Sequence, residues 1–336
     1  MRPSRSRVSI KDVSRHAGVS VSTVSHVLNG TRYVSPELRA RVEAAITALD
    51  YRHNGLARSL RTRRSYTIGL IIPDVSNPYY PQLARGVQDT ADEAGYAVFL
   101  CNSDRRPEQE VRLVAALEQR QVDGIILDAA GPTPELLTAL RRLRQPVVLV
   151  GSRIDEPDFD RVMMAPHGSY DAVRYLLSRG HRRVALIGGP PVFGSTRPTK
   201  AAGYLAALAE AGIEPDPALI MQGDYTREGG RLAMHRLLAL SAPPTAVFAG
   251  NDLMALGALV AAREAGVRVP EDIAIVGYDD IPEASVAVPA LTTVAVPKYE
   301  MGRVAAELLL ARLRGEGSQQ PQRIELPHRL VIRASA

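Results

Sequence analysis

The sequence predicts a mixed α/β protein: a small all-α head, a short connecting segment, and a large body of two doubly wound parallel sheets. Three observations lead there. From Tyr66 onward, near-continuous apolar runs alternate with helical stretches, the pattern of parallel strands covered on both faces. About eight such strand runs occur, more than one sheet usually holds. The charge is also divided. Residues 1–65 carry 13 Lys and Arg against 4 Asp and Glu, a net of +9, and the remainder carries 28 against 32, a net of −4. A basic head on a mildly acidic body is the electrostatic pattern of a chain that meets a polyanion at one end.

The head reads as three helices. Ser9-Ile10-Lys11-Asp12 forms a capping box, Ile10, Val13 and Ala17 keep one face apolar, and Gly18 stops the helix. Ser20 caps a second helix after the tight Gly18-Val19-Ser20 turn, and Asn29-Gly30 ends it. Val24, Val27 and Leu28 face inward, leaving Ser22, Ser25, His26 and Asn29 as a polar stripe. A third helix opens at Ser35-Pro36 and runs through Leu38, Val42, Ala45, Ile46 and Leu49. Two short helices about a three-residue turn, closed by a third, describe a helix-turn-helix. Its second helix would place its first residues at base edges in a major groove.

The connecting stretch "HNGLARSLRTRR", residues 53–64, is too short and too charged to hold itself helical in water. Leu56 and Leu60 lie one helical turn apart with nothing obvious to bury against, framed by Arg58, Arg61, Arg63 and Arg64.

In the body the strand runs are "YTIGLII", "YAVFLC", "VDGIILD" and "PVVLVG", and after Met163 "RVALIG", "LIMQGD", "TAVFAG" and "DIAIVG". A loose repeat of strand, loop, helix and closing Ala-Gly begins each half. Ligands of such sheets sit at the carboxyl ends of the strands, here in a cleft between lobes. Tyr79 and Tyr80, Tyr225, Asn251 and Asp252, and Asp279 and Asp280 all follow strand runs. Tyrosine faces with carboxylates and amides suit a polar ring such as a sugar or a nucleobase. Asp252 reads equally as a helix cap, and Tyr80 as part of the lobe core.

The string "VSIKDVSRHAGVSVSTVSHVLNGTRYVSPELRARV" resembles the DNA-binding head of the lac repressor/galactose repressor (LacI/GalR) family, and the resemblance runs along the whole chain. It implies a helix-turn-helix domain over residues 1–52, a hinge helix or linker over 53–65, and an effector-binding and dimerisation core over 66–336. That core is expected to be like a periplasmic binding protein, with interleaved subdomains of about 66–163 plus 296–324 and about 164–292 plus 325–336. The implied function is a transcriptional regulator, expected to be a repressor. It would bind a palindromic operator as a homodimer, kink its minor groove at the centre, and answer to a small-molecule effector such as a carbohydrate. The candidate DNA contacts are Ser20, Val21, Ser22, Thr23, His26, Asn29, Arg32, Leu56, Leu60 and Arg61. Asn54 would cap a hinge helix that folds on the operator, Leu56 would face the partner's hinge, and Leu60 would wedge between base pairs and be buried by the DNA.

The candidate effector contacts are Tyr79, Tyr80, Lys200, Tyr225, Asn251 and Asp279. Several positions depart from the family pattern. Lys200 stands where an Arg is common, so a bidentate fork becomes a point charge. Gly151 replaces a frequent Asp, Val296 a frequent Gln, and Ala165-Pro166 a frequent Asp-Asn pair, which leaves fewer polar anchors. A non-functional or non-sugar pocket on the same DNA-binding fold is therefore the alternative.

Other classes fit less well. No G-x-x-x-x-G-K-[ST] occurs and "GGPPVFG" is not G-x-G-x-x-G, so a nucleotide-using enzyme is not expected, nor a cofactor. Asp279-Asp280 lacks further metal ligands, and the single Cys101 excludes an intrachain disulfide. With no apolar run long enough to span a bilayer and no secretory signal at the basic N-terminus, a cytoplasmic protein is expected.

Overall fold

The computed structural model describes residues 8–29, 32–51, 64–151, 156–189 and 200–336. Its two compact units are residues 1–65 and 66–336.

In the first unit, Ser9 caps α1 (Ile10–Ala17) reciprocally. Its Oγ accepts from the Asp12 N–H at 3.4 Å, while its own N–H donates to the Asp12 carboxylate at 2.9 Å. Gly18, at φ +62°, ends the helix in the left-handed conformation that glycine adopts without cost. Helix α2 (Val21–Asn29) begins after Ser20, whose Oγ accepts from the Thr23 N–H at 3.0 Å. Helix α3 (Pro36–Ala48) has Ser35 as cap and proline in its first turn. Val13, Val24, Val27 and Val42 are buried between the helices, each removed from water at a gain of ~1.5–3 kcal/mol. Ser14 sits on this core, and its hydroxyl donates to the Val19 carbonyl at 2.9 Å, tying down the turn. Arg41 reaches back from α3 to the carbonyls of Ala17 and Gly18, at 2.7 and 3.2 Å.

The second unit holds two six-stranded sheets. The first contains β1 (Thr67–Ile72), β2 (Ala97–Asn102), β3 (Gly124–Leu127), β4 (Val147–Val150), β5 (Asp160–Met164) and, from far along the chain, β11 (Arg323–Leu326). Its order is β11-β5-β4-β3-β1-β2, all parallel. The second contains β6 (Val184–Gly188), β7 (Ile220–Gln222), β8 (Ala246–Ala249), β9 (Ala274–Asp279), β10 (Thr292–Ala295) and β12 (Arg329–Val331). Its order is β12-β10-β9-β8-β6-β7, with only β12 antiparallel to its neighbour. The helices α4 (Tyr79–Glu93), α5 (Pro107–Gln119), α6 (Pro134–Arg142), α7 (Gly168–Ser178), α8 (Lys200–Glu210), α9 (Arg227–Leu238), α10 (Asp252–Glu264), α11 (Pro282–Val286) and α12 (Lys298–Arg314) connect the strands.

The chain passes between the lobes three times: after Met164, after Ala295 and after Leu326. The last passage falls two residues beyond the expected boundary at 324. Glu325 and Leu326 still pair with Met163 and Met164, and the Ala165 N–H donates to the Leu326 carbonyl at 2.9 Å. Strand β5 is absent from the apolar runs of the sequence because it opens on Asp160 and Arg161. Both are buried, and Asp160 takes two bonds from Arg312, at 2.7 and 2.8 Å, and one from the Gln322 N–H at 2.7 Å. A buried carboxylate is tolerated there because the guanidinium and amide replace its lost water.

Helices α4 and α12 cross at touching backbones. A Cβ on Gly86 would lie 2.0 Å from the Tyr299 carbonyl oxygen, and one on Gly302 would lie 2.0 Å from that of Leu83. This close crossing secures the helix that follows the second passage between lobes onto the first sheet.

Candidate functional site

In the head, the start of α2 is a small hydroxyl cluster. Ser20 Oγ bonds the hydroxyls of Ser22 and Thr23 at 2.7 and 2.8 Å. Val21 is 41% exposed, an apolar side chain facing water at the first turn of a helix. Ser22 and Arg32 are exposed, and Thr23 and His26 are half-buried. Chemically, Val21 can pack on a thymine methyl, Ser22 can bond either base type, and His26 can donate to guanine N7 or O6. The side chain of Asn29 lies outside the described residues. So do Leu56, Leu60 and Arg61, together with Asn54, Arg58 and Arg63. Tyr33, beside Arg32, is 89% exposed and was not among the candidates. An aromatic in "TRYVSP" carries no periodicity that would mark it, and only its neighbouring arginine hints at a phosphate-facing loop.

In the body, the strand ends bring the other candidates to the cleft between the sheets. From the first lobe come Tyr79 and Tyr80, at the start of α4, with rings edge-to-face at 4.9 Å. The Tyr80 hydroxyl donates to Asp128 Oδ2 at 3.1 Å. Asp128 closes β3 and is buried, and sequence reasoning passed over it, although it ends the apolar run "VDGIILD". A Cβ on Gly151 would lie 3.1 Å from Asp128 Oδ1. A side chain at 151 would therefore crowd the Asp128 carboxylate, which lies beside that strand end. Burial, and then the Asp128 charge, push the Tyr79 hydroxyl well above the usual phenol range, so it remains a hydrogen-bond donor.

From the second lobe come Lys200, Tyr225, Asn251 and Asp279. Lys200 donates to the Gly250 carbonyl, lies 4.0 Å from the Asp279 carboxylate, and sits 3.8 Å above the Tyr278 ring. It is a fixed cation, held from three sides. The amide of Asn251 is engaged at both ends: its Oδ1 accepts from the Met254 N–H at 2.9 Å, capping α10, and its Nδ2 donates to the Tyr225 carbonyl at 3.1 Å. It therefore shapes the loop that presents Tyr225. The Tyr225 ring lies against Gly189, where a Cβ would come within 1.9 Å of it.

Three non-glycine residues here have positive φ: Tyr225 at 65°, Asp279 at 114° and Asp280 at 55°. Each costs about 1–3 kcal/mol, a strain that clusters at ligand clamps and switch regions. The surroundings hold these residues in place. Lys298 donates to the carbonyls of Asp279 and Asp280, and Arg333 to Asp280 Oδ1 at 2.7 Å. Beneath them Asp252 is fully buried, its Oδ2 accepting from the Ile281 N–H at 2.8 Å and its Oδ1 from the Thr293 hydroxyl at 2.5 Å. Burial first, then the Asp279 charge, raise its pKa from 3.8 to about 7. Val296, at a position where the family often has Gln, is buried apolar surface. Among the described residues no group of His, Cys, Asp and Glu could hold a metal ion, and no helix is long and apolar enough to cross a membrane.

A three-helix head with candidate contact residues exposed on its second helix, and a two-lobed body with polar side chains at its strand ends, define a DNA-binding regulator coupled to a ligand-sensing domain. The comparisons agree. Residues 9–54 match the bacterial regulatory proteins of the lacI family, and residues 173–336 match the periplasmic binding protein-like domain. The HTH-type transcriptional repressor PurR of Photorhabdus laumondii is 40% identical over 329 residues, 97% of this chain and 96% of that protein. The PurR repressor of Proteus mirabilis is 41% identical over the same shares. The lac repressor dimer bound to operator and the anti-inducer ONPF superposes with a TM-score of 0.88 at 29% identity, covering 98% of this chain and 99% of that one. The regulator CelR in its cellobiose complex gives 0.74 at 35% identity, covering 98% and 100%. The chain belongs to the lacI family of bacterial regulatory proteins. It is a DNA-binding transcriptional regulator and not an enzyme.

Proposed function

We propose that this regulator is a cytoplasmic repressor that binds a palindromic operator as a homodimer and is controlled by a small molecule, a carbohydrate or related metabolite, in the cleft. The observation that carries the effector reading is the closeness of Tyr79, which packs on Tyr80 in one lobe, to Asp279 of the other, whose charge acts on the Tyr79 hydroxyl and which lies 4.0 Å from Lys200. A ligand touching both lobes binds one lobe arrangement better than another, and only such a difference in affinity can shift the equilibrium. Val21, Ser22 and His26 read the half-site, and one recognition helix reads only half a palindrome, hence the dimer. Leu60, wedged into the minor groove at the operator centre, links lobe orientation to the separation of the two hinges.

The edge of the first sheet supports the dimer. Strand β2 presents Phe99 and Leu100 to solvent at 43% and 47% exposure, beside a groove lined by Pro81, Ala84 and Val98. An exposed apolar edge of this kind is normally covered.

The test is fluorescence-anisotropy binding to a library of palindromes of ~16–18 bp with a central CG step, repeated with pooled sugars and nucleobases. Tight binding to one palindrome, shifted by one ligand pool, is the expected result, and the direction of the shift reads the sign of control. Sequence-blind, purely salt-dependent binding would overturn the operator reading. Selective binding that no ligand moves would favour the same fold with a silent or non-sugar pocket.

A further inference from the structure

One contact crosses the cleft rim from Arg105, which is not among the candidate effector residues. Arg105 follows β2 in the first lobe, and Asp104 and Arg105 both have positive φ, at 53° and 56°. This strained turn is tied to its own lobe by the Arg105 N–H, which donates to the Pro73 carbonyl at 3.2 Å. The guanidinium is anchored on the same side by Asp74, Nη2 to Oδ2 at 3.4 Å. Asp74 is itself held, its other oxygen accepting from the Ser76 N–H at 3.0 Å and the Ser76 hydroxyl at 2.6 Å. From this anchorage the arginine reaches the opposite lobe. Nη1 donates to the Asp224 carbonyl at 3.0 Å, and the guanidinium carbon lies 5.0 Å from the centre of the Tyr225 ring.

The far side of the contact is equally prepared. Asp224 Oδ1 accepts from the N–H and hydroxyl of Thr226, at 2.9 and 2.6 Å, which fixes the turn whose carbonyl Arg105 uses. Tyr225 takes the left-handed backbone there, with its ring over Gly189 and its carbonyl on Asn251. Arginine is the side chain suited to the position. Its planar fork can satisfy a carboxylate on one edge and a carbonyl on another while its face stacks on a ring, which a lysine ammonium cannot do together.

We infer that Arg105 is the cross-cleft clasp of this regulator, a positioning residue that holds the lobes together at the rim and fixes the Tyr225 ring in the orientation it presents to the effector. The inference rests on the cleft being the effector site, but the clasp itself acts without ligand. When the lobes separate, the guanidinium loses carbonyl and ring together, so closure and the shape of the Tyr225 wall change as one event. Asp74 keeps the opened arginine on its own lobe, ready to re-form the contact.

The experiment measures lobe separation in the ligand-free full-length protein. Spin labels go on exposed Glu108 of α5 and exposed Arg227 of α9 (both to Cys, with Cys101→Ser), and the labelled chain is mixed with excess unlabelled chain so that only distances within one copy are read. With Arg105 in place, one narrow distance distribution is expected. Arg105→Ala should add a longer-distance population comparable to the first, and Arg105→Lys should fall between the two. Asp74→Asn, which leaves the arginine but removes its anchor, should move the distribution in the same direction. A distribution for Arg105→Ala that superimposes on the parent overturns the clasp. That outcome leaves the effector reading standing, because ligand titration against the operator tests it separately. If Arg105→Ala were to misfold, circular dichroism would reveal it and Asp74→Asn would still decide.

Discussion

Replacing Asp252 with asparagine should make the protein more stable in mildly alkaline solution and remove a pH dependence that the parent carries. Asp252 is shut away beneath the cleft, and its carboxyl holds its proton up to about pH 7 against 3.8 for an ordinary aspartate. Burial is the main cause and the Asp279 charge the second, while the bonds from Thr293 and Ile281 act the other way. Between about pH 4 and about pH 7 the unfolded chain has lost this proton and the folded chain has kept it, so stability falls as pH rises. At about 1.4 kcal/mol per unit, the whole shift amounts to about 4 kcal/mol as an upper bound. Above the folded value both states are ionised and the deficit stays constant.

Asparagine keeps an oxygen for the Ile281 N–H and carries no charge to bury, so the variant should lack this slope. Its altered contact with Thr293 costs about 1 kcal/mol at every pH. Urea unfolding of both proteins from about pH 5 to about pH 8 reads the difference. The variant should match the parent to within about 1 kcal/mol at the acid end and be stronger by about 3 kcal/mol at the alkaline end. Parallel curves across that range would refute the reasoning, because a carboxylate ionised throughout gives no slope.

Other outcomes follow from the same structure. His26→Ala should cost roughly 1–3 kcal/mol and relax preference at one base position per half-site, read by anisotropy across operator variants, whereas a uniform loss would make His26 a phosphate contact. Leu60→Ala should weaken operator binding while sedimentation still shows a dimer, and unchanged affinity would sink the hinge assignment. Gly302→Ala places a methyl 2.0 Å from the Leu83 carbonyl oxygen, so α12 must shift on α4 at a cost of ~1–3 kcal/mol, visible as a lower melting temperature. Phe99→Asp on the exposed β2 edge should convert the dimer to monomer in sedimentation without lowering the melting temperature of the head, and a persistent dimer would place the interface elsewhere.

The sequence was most informative where local chemistry decides the outcome. Ser9, Ser20 and Ser35 begin helices because a hydroxyl or a capping box there satisfies free amides, and each is visible as a residue type at a fixed spacing. The apolar strands were equally plain. Strand β5 was not, because Asp160 and Arg161 give it the look of a surface loop until Arg312, far along the chain, arrives to neutralise it. In the cleft, "AGNDLM" shows two polar residues in a row and cannot say which does what. The structure makes Asn251 the cap and Asp252 the buried acceptor, roles set by the direction of α10 and by the loop at Ile281. Asp128 and Arg105 were missed for the same reason. Each acquires its meaning from a partner that only the tertiary fold brings near.

The order in which this molecule can be completed follows from its last two strands. Strand β11 finishes the first sheet and β12 the second, and beyond them Ser335 is buried, taking the Thr292 N–H at 2.8 Å and donating to the Ile275 carbonyl at 2.6 Å. Chains emerge from the ribosome at about 5–20 residues per second, with early domains folding first. The apolar core of the head is drawn from residues between Val8 and Tyr51. Both lobes wait for residues 323–336. In synthesis, therefore, every residue of the three-helix head is in place long before either sheet of the body can be completed.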